Sequence, residues 1–292
     1  MKLDQCPVCG SDKFDHILTA KDHLVSGDQF NIDHCSDCGF RFTNPRPNDD
    51  ELGKYYDSDE YVSHADEGNN LVNKLYKIAR GFTLKSKIKL INRLSKNKQL
   101  LDVGCGTAHF LEYCQQAGWQ ISGVEPNDLA RKQAEEKTNI NIHKDLSEIE
   151  SGSYDVITLW HVLEHLPNLS ETINELKAML APGGSILIAL PNYEAYEEQR
   201  FKEHWAAYDV PRHLHHFNQN SLGNLLNKHG LKIAKTYPMW LDSFYISLLS
   251  NKQKYNRNKF VNSFITGLLS NIYAVKSRNF SSLIYLVKKS EG

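Results

Sequence analysis

Short apolar runs alternate with amphipathic segments from residue 98 to the end of the chain. This alternation is typical of βαβ units and predicts helices between the strands. The predicted strands cover residues 100–103, 120–124, 140–143, 154–160, 185–190 and 232–237, and the apolar stretch 282–287 predicts a seventh. We therefore expect an α/β domain built on a Rossmann-like sheet.

The first predicted strand runs through Asp102 into a glycine-containing turn. Gly104 and Gly106 allow the backbone to turn sharply where a side chain would block a ligand, and apolar residues at helical spacing follow them. The next strand ends in Glu125, about 20 residues after the glycines, where a carboxylate can bind both hydroxyls of a ribose. The pattern predicts a nucleoside-binding half-fold.

Two ligand classes compete for this turn. A dinucleotide site favours a third glycine at position 109, where the chain has His109. Asp102, Gly104 and Gly106 instead resemble the first motif of the class I S-adenosylmethionine-dependent methyltransferases, an acidic residue two positions before Gly-x-Gly. Ala108 stands where many members have a third glycine. The resemblance favours S-adenosylmethionine as the cofactor.

The resemblance also implies a fold and a set of contacts. The fold is a seven-stranded methyltransferase sheet, with the strand at 282–287 antiparallel at its edge. Glu125 would bind the ribose, and Asp102 would help to hold the amino end of the cofactor. Asp145 would lie near the adenine amine, with capping of a following helix as the alternative. The candidate cofactor-binding residues are Asp102, Gly104, Cys105, Gly106, Glu125, Pro126, Asp145, Trp160 and His161.

Two Cys-x-x-Cys pairs lie near the N-terminus. Cys6, Cys9, Cys35 and Cys38 can complete a tetrahedral zinc shell, and a hairpin is expected in the 25 residues between the pairs. Four protein ligands leave no open position, so the predicted zinc is structural. Disulfides are the alternative and would need an oxidising compartment.

The segment between the cysteines and the sheet is rich in tyrosine. Its pattern predicts helices that pack on one face of the domain. In the methyltransferases that the chain resembles, this segment often caps the cofactor. Tyr55, Tyr56 and Tyr61 can line a substrate cavity or pack. We predict a zinc ribbon at 1–48, a helical linker or lid at 49–97, and a methyltransferase domain with a C-terminal helical addition at 98–292.

A second candidate site follows the strand at 154–160. The stretch with His161, Glu164 and His165 resembles the Leu-Glu-His stretch of quinone-biosynthesis methyltransferases, and side chains here face the region beyond the strand ends where ligands bind. These three residues can hold a divalent ion, as in some relatives. They can equally orient loops by bonding backbone groups.

The third candidate site is the loop at 205–217, which concentrates one arginine and three histidines. It resembles the Pro-Arg-His-Leu-x-His-Phe segment of bacterial methyltransferases with an N-terminal four-cysteine module, and a stretch of deoxysugar C-methyltransferases in which a histidine is the base. By this resemblance His213 is the first candidate for general base, His216 the second and His215 the third. Arg212 can hold a phosphate or carboxylate of the acceptor. A histidine cluster that caps the following helix is the alternative.

Composition narrows the class of partner. The chain has 292 residues and a formal net charge of −1, so no general attraction to nucleic acid is expected. No signal peptide or membrane span is predicted, and we expect a cytoplasmic protein that can form a homo-oligomer. The pattern of residues 238–281 predicts helical segments that could form a subunit interface or the wall of a substrate pocket. Contact of these segments with a membrane surface is the less favoured alternative.

These patterns together predict a methyltransferase that moves a methyl group from S-adenosylmethionine to oxygen or carbon of a small molecule, such as a sugar or secondary metabolite. One alternative is a cofactor-binding scaffold with little catalysis. Another is an RNA or protein methyltransferase, which is less favoured because the signature of amino-group methylation is absent after the fourth strand.

Overall fold

The computed structural model describes residues 1–56, 71–149 and 154–290, with the side chains of residues 71–80 excepted. Part of the predicted lid, including Tyr61, lies outside the described residues. In chain order the strands are β1 Phe14–Lys21, β2 Gln29–Cys35, β3 Arg41–Thr43, β4 Gln99–Val103, β5 Gln120–Val124, β6 Tyr154–Trp160, β7 Leu180–Pro191, β8 His215–His216, β9 Leu231–Pro238 and β10 Ser282–Lys289.

Eight α-helices lie in the described parts of the chain. They are α1 Leu71–Ile91, α2 His109–Gln116, α3 Asp128–Thr138, α4 Leu169–Met179, α5 Tyr196–Phe201, α6 Gln219–Lys228, α7 Asp242–Tyr255 and α8 Phe260–Ser277. No described helix is long and apolar enough to cross a membrane.

The larger sheet has the order β5-β4-β6-β7-β10-β9. Its first four strands are parallel and β10 is antiparallel to both of its neighbours, with buried helices on the two faces. This is the predicted Rossmann-like methyltransferase fold. The expected strand at 140–143 is reduced to a single parallel bridge between Val124 and His143. Asn139 ends α3 in the left-handed conformation, and too few extended residues follow it to extend the ladder.

The predicted position of the last strand was wrong. β10 is antiparallel, as expected, but it lies between β7 and β9, so β9 forms the sheet edge. The burial of the two strands explains the order. The first six residues of β10 are all buried, whereas β9 carries Lys232 and Lys235 with exposed side chains, and charged side chains suit an edge strand.

The smaller sheet has the order β1-β2-β3-β8. β1 and β2 form the expected hairpin between the cysteine pairs, and β3 adds to β2. The fourth strand comes from the distant loop at 205–217: Arg41 pairs with His216 and Phe42 with His215. The loop with the candidate catalytic histidines is therefore a strand of the N-terminal sheet.

Candidate active site and cysteine cluster

The glycine turn after β4 adopts a backbone that suits the predicted ligand. Gly104 has φ +67° and Gly106 has φ +54°, both in the region that favours glycine. A Cβ at Gly104 would lie 2.6 Å from Cγ2 of Val162, which leaves no space for a side chain there. Ala108, at the position of the family's third glycine, also has a positive φ of 59°. The turn is thus open on the side of Gly106, where a Cβ would meet no described atom within 4 Å.

Asp102 lies under this turn and is buried. Its Oδ1 accepts a hydrogen bond of 2.6 Å from Thr158 Oγ1 on the neighbouring strand. Burial raises the pKa of Asp102, although this bond and the nearby Lys87 ammonium oppose the rise. Lys87 comes from α1, and its Nζ lies 3.9 Å from the centre of the Trp160 ring. A cation of the predicted lid segment therefore reaches the candidate cofactor site.

Glu125 is buried at the end of β5, and both of its carboxylate oxygens face the glycine turn and the next helix. Oε2 accepts from the backbone N–H of Gly106 at 2.8 Å, and Oε1 accepts from that of Asn127 at 2.9 Å. Burial raises its pKa, against the effect of these two bonds. The carboxylate is held in a fixed orientation beside the turn, with lone pairs left for further donors.

The structure shows less specific contacts for the other candidate cofactor-binding residues. Cys105 is buried between the two glycines, and Pro126 follows Glu125 and accepts from Arg131. Asp145 is exposed and caps a short 3₁₀-helix, accepting from the backbone N–H of Ser147 at 2.8 Å. This is the capping alternative that the sequence left open.

His161 lies between two carboxylates. Its Nδ1 is 3.4 Å from Glu164 Oε1, and its Nε2 is 3.5 Å from Asp242 Oδ2 at the start of α7. Burial disfavours the charged imidazole, but the contacts with Asp242 and Glu164 outweigh it and raise the pKa of His161 to about 9. The charged form of His161 is therefore favoured near neutral pH, and a metal ion bound to this imidazole would have to displace its proton.

A cluster of one carboxylate and two histidines connects the end of β6 to the loop at 205–217. One ligand atom each of Glu164, His165 and His213 lie within 4.8 Å of one another. His165 Nδ1 is 3.0 Å from the carbonyl of Arg212, and His213 Nδ1 is 2.9 Å from the carbonyl of Ala207. Carbonyls only accept, so in the neutral imidazoles each Nδ1 carries the hydrogen and each Nε2 keeps a lone pair. The hydroxyl of Tyr56, from the predicted lid segment, also lies 2.9 Å from His165 Nδ1.

This cluster can act in two ways. A buried carboxylate with two imidazole lone pairs is a donor set that divalent cations accept, and His213 takes the place that the sequence gave to His161. The same arrangement also suits an imidazole base beside a carboxylate. Neither oxygen of Glu164 accepts a hydrogen bond from the described residues, although Oε1 contacts His161.

His215 and His216 point into the protein. His215 Nε2 donates to the carbonyl of Leu166 at 3.1 Å, and His216 Nε2 is 3.2 Å from Thr43 Oγ1 of β3. Both line a cavity of about 10 Å³, the size of one water, which Glu164 and His213 line as well. Burial lowers the pKa of His215 to about 3 and also lowers that of His216. These two imidazoles are neutral packing groups between the two sheets.

Arg212 is also turned inward. Its side chain is 1% exposed, and it donates to Asp209, to Asp22 of the N-terminal hairpin and to the carbonyl of Tyr55. The predicted contact with an anionic acceptor would require the guanidinium to leave two carboxylates. In this conformation Arg212 joins its own loop to two distant segments, the N-terminal hairpin and the linker with Tyr55.

The four cysteines of the ribbon fit a tetrahedral metal site. Sγ of Cys6 is 3.6 Å from that of Cys38, and Sγ of Cys9 is 3.4 Å from that of Cys35. Zinc–sulfur bonds of about 2.3 Å place tetrahedral sulfurs about 3.8 Å apart, close to these separations. All six cysteines of the described chain are free thiols, so no disulfide competes for them.

Comparison with known proteins agrees with this geometry. The sequence profile of a family described as "Methyltransferase domain" matches residues 78–236, more than half of the chain. The chain belongs to this methyltransferase family.

Relatives of the methyltransferase domain share part of its length. The chain is 38% identical over 112 residues to a ubiquinone biosynthesis O-methyltransferase of Shewanella halifaxensis (strain HAW-EB4), covering 35% of this chain and 48% of the relative. It is 29% identical over 105 residues to the protein of that name from Acinetobacter baylyi (strain ATCC 33305 / BD413 / ADP1), with coverages of 32% and 44%. The chain thus spans about half the length of the curated relatives it matches.

A solved structure shares the fold. Magnesium protoporphyrin IX methyltransferase from Synechocystis PCC 6803, with bound SAH, has a TM-score of 0.56 and 15% sequence identity. The match covers 83% of this chain and all of the other, which agrees with the Rossmann-like architecture.

Sequence analysis missed three side chains of this methyltransferase site. Lys87, Thr158 and Asp242 contact or interact with the predicted residues Trp160, Asp102 and His161. None lies in a motif. Thr158 sits two positions before the end of a buried strand and could have been found from its polar side chain, but Lys87 and Asp242 belong to helices whose position only the fold determines.

The pKa of His161 generates a stability prediction. His161 binds its proton more strongly in the folded chain, where its pKa is about 9, than in the unfolded chain, where its pKa is about 6.5. Its stabilising effect is therefore full below about pH 6.5 and is lost as the pH rises to about 9. Denaturant unfolding at several pH values should show wild type losing its advantage over His161→Gln across this window.

His204 offers a matched control. Its side chain has the same 34% exposure as that of His161 and lies 3.6 Å from the carboxylate of Glu203. His204→Gln should leave the pH dependence of unfolding as in wild type. If the difference in stability between wild type and His161→Gln does not change between about pH 6.5 and pH 9, His161 is not held as a cation by Glu164 and Asp242.

Proposed function

We propose that the chain is an S-adenosylmethionine-dependent methyltransferase that methylates oxygen or carbon of a small molecule. The observation that carries this proposal is the buried carboxylate of Glu125, fixed 2.8 Å from the backbone N–H of Gly106 at the end of β5. A sugar or secondary metabolite is the proposed acceptor class, by the resemblance of the loop at 205–217. The names of the ubiquinone biosynthesis O-methyltransferases support a small-molecule acceptor.

On the cofactor side, the residues fit a nucleoside with a charged amino-acid end. Glu125 presents carboxylate oxygens for the ribose hydroxyls, Gly106 leaves its side of the turn open, and Asp102 offers a buried carboxylate for an ammonium group. S-adenosylmethionine, when bound, supplies an electrophilic methyl group. The chain's own part is to bind and orient the two reactants and to remove a proton from the acceptor.

On the acceptor side, His213 is the proposed general base. Its Nδ1–H is donated to the carbonyl of Ala207, so Nε2 is the atom that accepts the proton from the acceptor's O–H or C–H. Glu164 stabilises the imidazolium that forms, because the pKa of this buried carboxyl is held low by the histidines around it. Val162 packs against the Gly104 turn, so this cluster adjoins the proposed cofactor site.

We further propose that the four-cysteine cluster binds a structural zinc that helps to position the base. The cluster fixes the ends of the β1–β2 hairpin, β3 extends from it, and β8 pairs with β3. His213 lies two residues before β8. An ordered ribbon thus limits where the loop with the base can lie.

Glu125 allows a direct test of cofactor binding. Glu125→Ala removes the acceptor for both ribose hydroxyls, so the dissociation constant of S-adenosylhomocysteine should rise at least about tenfold, as expected for hydrogen bonds to a charged group. Isothermal titration calorimetry of the two proteins measures this change.

Glu136→Ala, an exposed carboxylate on the nearby α3, is the matched control and should bind as wild type does. Folded wild type that does not bind S-adenosylhomocysteine would refute the proposed cofactor and favour the scaffold alternative. Equal affinity of Glu125→Ala and wild type would refute the ribose contact alone.

His213→Gln tests the base. The amide keeps a hydrogen-bond donor for Ala207 but cannot accept a proton, so kcat should fall by about 10²–10⁴. The affinity for S-adenosylhomocysteine should stay close to that of wild type. The rate is measured on a panel of nucleotide sugars and phenols by monitoring the release of S-adenosylhomocysteine. His229→Gln, on a distant helix end, is the control.

Two outcomes would contradict this assignment. Parallel loss of kcat and cofactor affinity in His213→Gln would give His213 a structural role. Turnover that stops when divalent ions other than the bound zinc are removed, and returns when they are added back, would assign Glu164, His165 and His213 to a cation instead.

Zinc binding can be measured on the purified protein. Elemental analysis should find about one zinc per chain, because four thiolates complete one tetrahedral shell. Removal of this zinc should increase amide hydrogen exchange in the loop at 205–217 as well as in the ribbon, since β8 pairs with β3. Cys9→Ser should act in the same way, whereas Cys114→Ser, outside the cluster, should retain the metal. Protein that is folded, metal-free and fully reactive at all four thiols would refute the site.

A further inference from the structure

The helix pair α7 and α8 has its polarity reversed relative to an ordinary surface helix. On α8, the side chains buried against the rest of the protein are small or polar and include Ser263, Thr266, Gly267, Ser270 and Asn271. Apart from Lys276 and Ser277 in its last turn, the exposed side chains of the same helix are large and apolar. They include Phe260, Val261, Phe264, Ile265, Leu268 and Ile272, which we call the α8 face.

The buried side of the pair is held together by close approach and by hydrogen bonds. Asn251 of α7 donates to Ser263 Oγ at 2.9 Å, and Asn271 donates to the carbonyl of Trp240 at 2.9 Å. Gly267 lets the helices meet, because a Cβ there would lie 2.7 Å from the Phe244 ring. Small residues and polar bonds between helices with apolar residues outside are the pattern of helices in contact with lipid.

Exposure of the apolar α8 face to water is energetically unfavourable. Monomeric proteins rarely expose contiguous apolar patches of more than a few hundred Å², and large ones mark interaction surfaces. Here the helix turns its polar side inward, although the opposite orientation would bury the apolar side chains. The apolar side is therefore the side that the sequence presents to a partner.

The charge around this face indicates which partner fits. Between residues 243 and 281 the chain contains no Asp or Glu, and its basic residues are Lys252, Lys254, Arg257, Lys259, Lys276 and Arg278. They lie in the last turn of α7, between α7 and α8, and at the C-terminal end of α8. Basic residues beside an apolar helix face complement an anionic lipid surface, whereas two copies meeting face to face would bring these like charges together.

We propose that α7 and α8 dock on the surface of an anionic lipid bilayer through the α8 face. The apolar side chains enter the boundary between headgroups and acyl chains, and the basic residues at both ends of α8 contact anionic headgroups. Trp240 and Tyr255, both exposed, suit the same interfacial layer. This proposal does not depend on the methyltransferase reaction.

Vesicle flotation tests the proposal with the full chain. Wild type should float with vesicles of phosphatidylcholine and phosphatidylglycerol, bind pure phosphatidylcholine more weakly, and lose affinity as salt is added. The triple variant Val261→Ser, Ile265→Ser and Ile272→Ser should bind at least about tenfold more weakly, because three exposed apolar side chains are removed from the lipid contact.

The substitutions are on exposed side chains, so the fold should survive, and circular dichroism together with S-adenosylhomocysteine binding checks this. Leu129→Ser, an equally exposed apolar residue on α3, is the matched control and should bind vesicles as wild type does. Lys254→Glu with Lys259→Glu should reduce binding to the anionic vesicles at least about tenfold, whereas Lys132→Glu on α3 should not.

Three results would overturn the proposal. The first is wild type that floats with neither kind of vesicle, and the second is a triple variant that binds as wild type does. The third is a dimer in light scattering that the triple variant dissociates while vesicle binding is absent, which would assign the α8 face to a second copy of the chain. Each result is independent of catalysis, so a failed methyltransferase assay leaves it unaffected.

Discussion

The ion cluster around Arg212 is the constraint on which the arrangement of the two sheets depends. Its guanidinium is buried and joins Asp22 of the β1–β2 hairpin, Asp209 of the histidine loop and the carbonyl of Tyr55 in the linker. Removing one partner of a buried ion pair costs about 3–5 kcal/mol, because the remaining charge is left without compensation. Asp22 and Arg212 are 190 residues apart in sequence, and the buried carboxylate of Asp22 would lose its ionic partner if the hairpin moved away from Arg212.

The position of the candidate base follows from this constraint. His213 is the next residue after Arg212, and β8 follows it at once, so its backbone is fixed on one side by an ion cluster and on the other by strand pairing with β3. Its Nδ1 is fixed by the carbonyl of Ala207. A base on a loop is usually mobile, but here the N-terminal sheet holds the loop against the carboxyl ends of the parallel strands.

Sequence patterns predicted the parts of the molecule that local chemistry determines. Gly104 and Gly106 could be found because glycine adopts a positive φ without strain, and the cysteine pairs because two thiols three positions apart can share an ion. The roles of Arg212, His215 and His216 could not be separated, since burial alone decides whether an arginine or histidine meets ligand or protein. The prediction that the last strand lies at the sheet edge was wrong for a similar reason, because the order of β9 and β10 depends on pairing between distant strands.

Electrostatics explains why the segment before the sheet takes part in the site. Asp102, Glu125 and Glu164 lie near the ends of β4, β5 and β6, and burial alone would raise the pKa of each of these carboxyls. Lys87 opposes this at Asp102, Arg131 at Glu125 and the surrounding histidines at Glu164. Lys87 belongs to α1, outside the parallel sheet. Because a buried carboxylate stays charged only with a cation nearby, α1 and the carboxylates depend on each other. A cationic ligand at the glycine turn would add a further positive charge beside Asp102 and Glu125, and so would favour their charged forms.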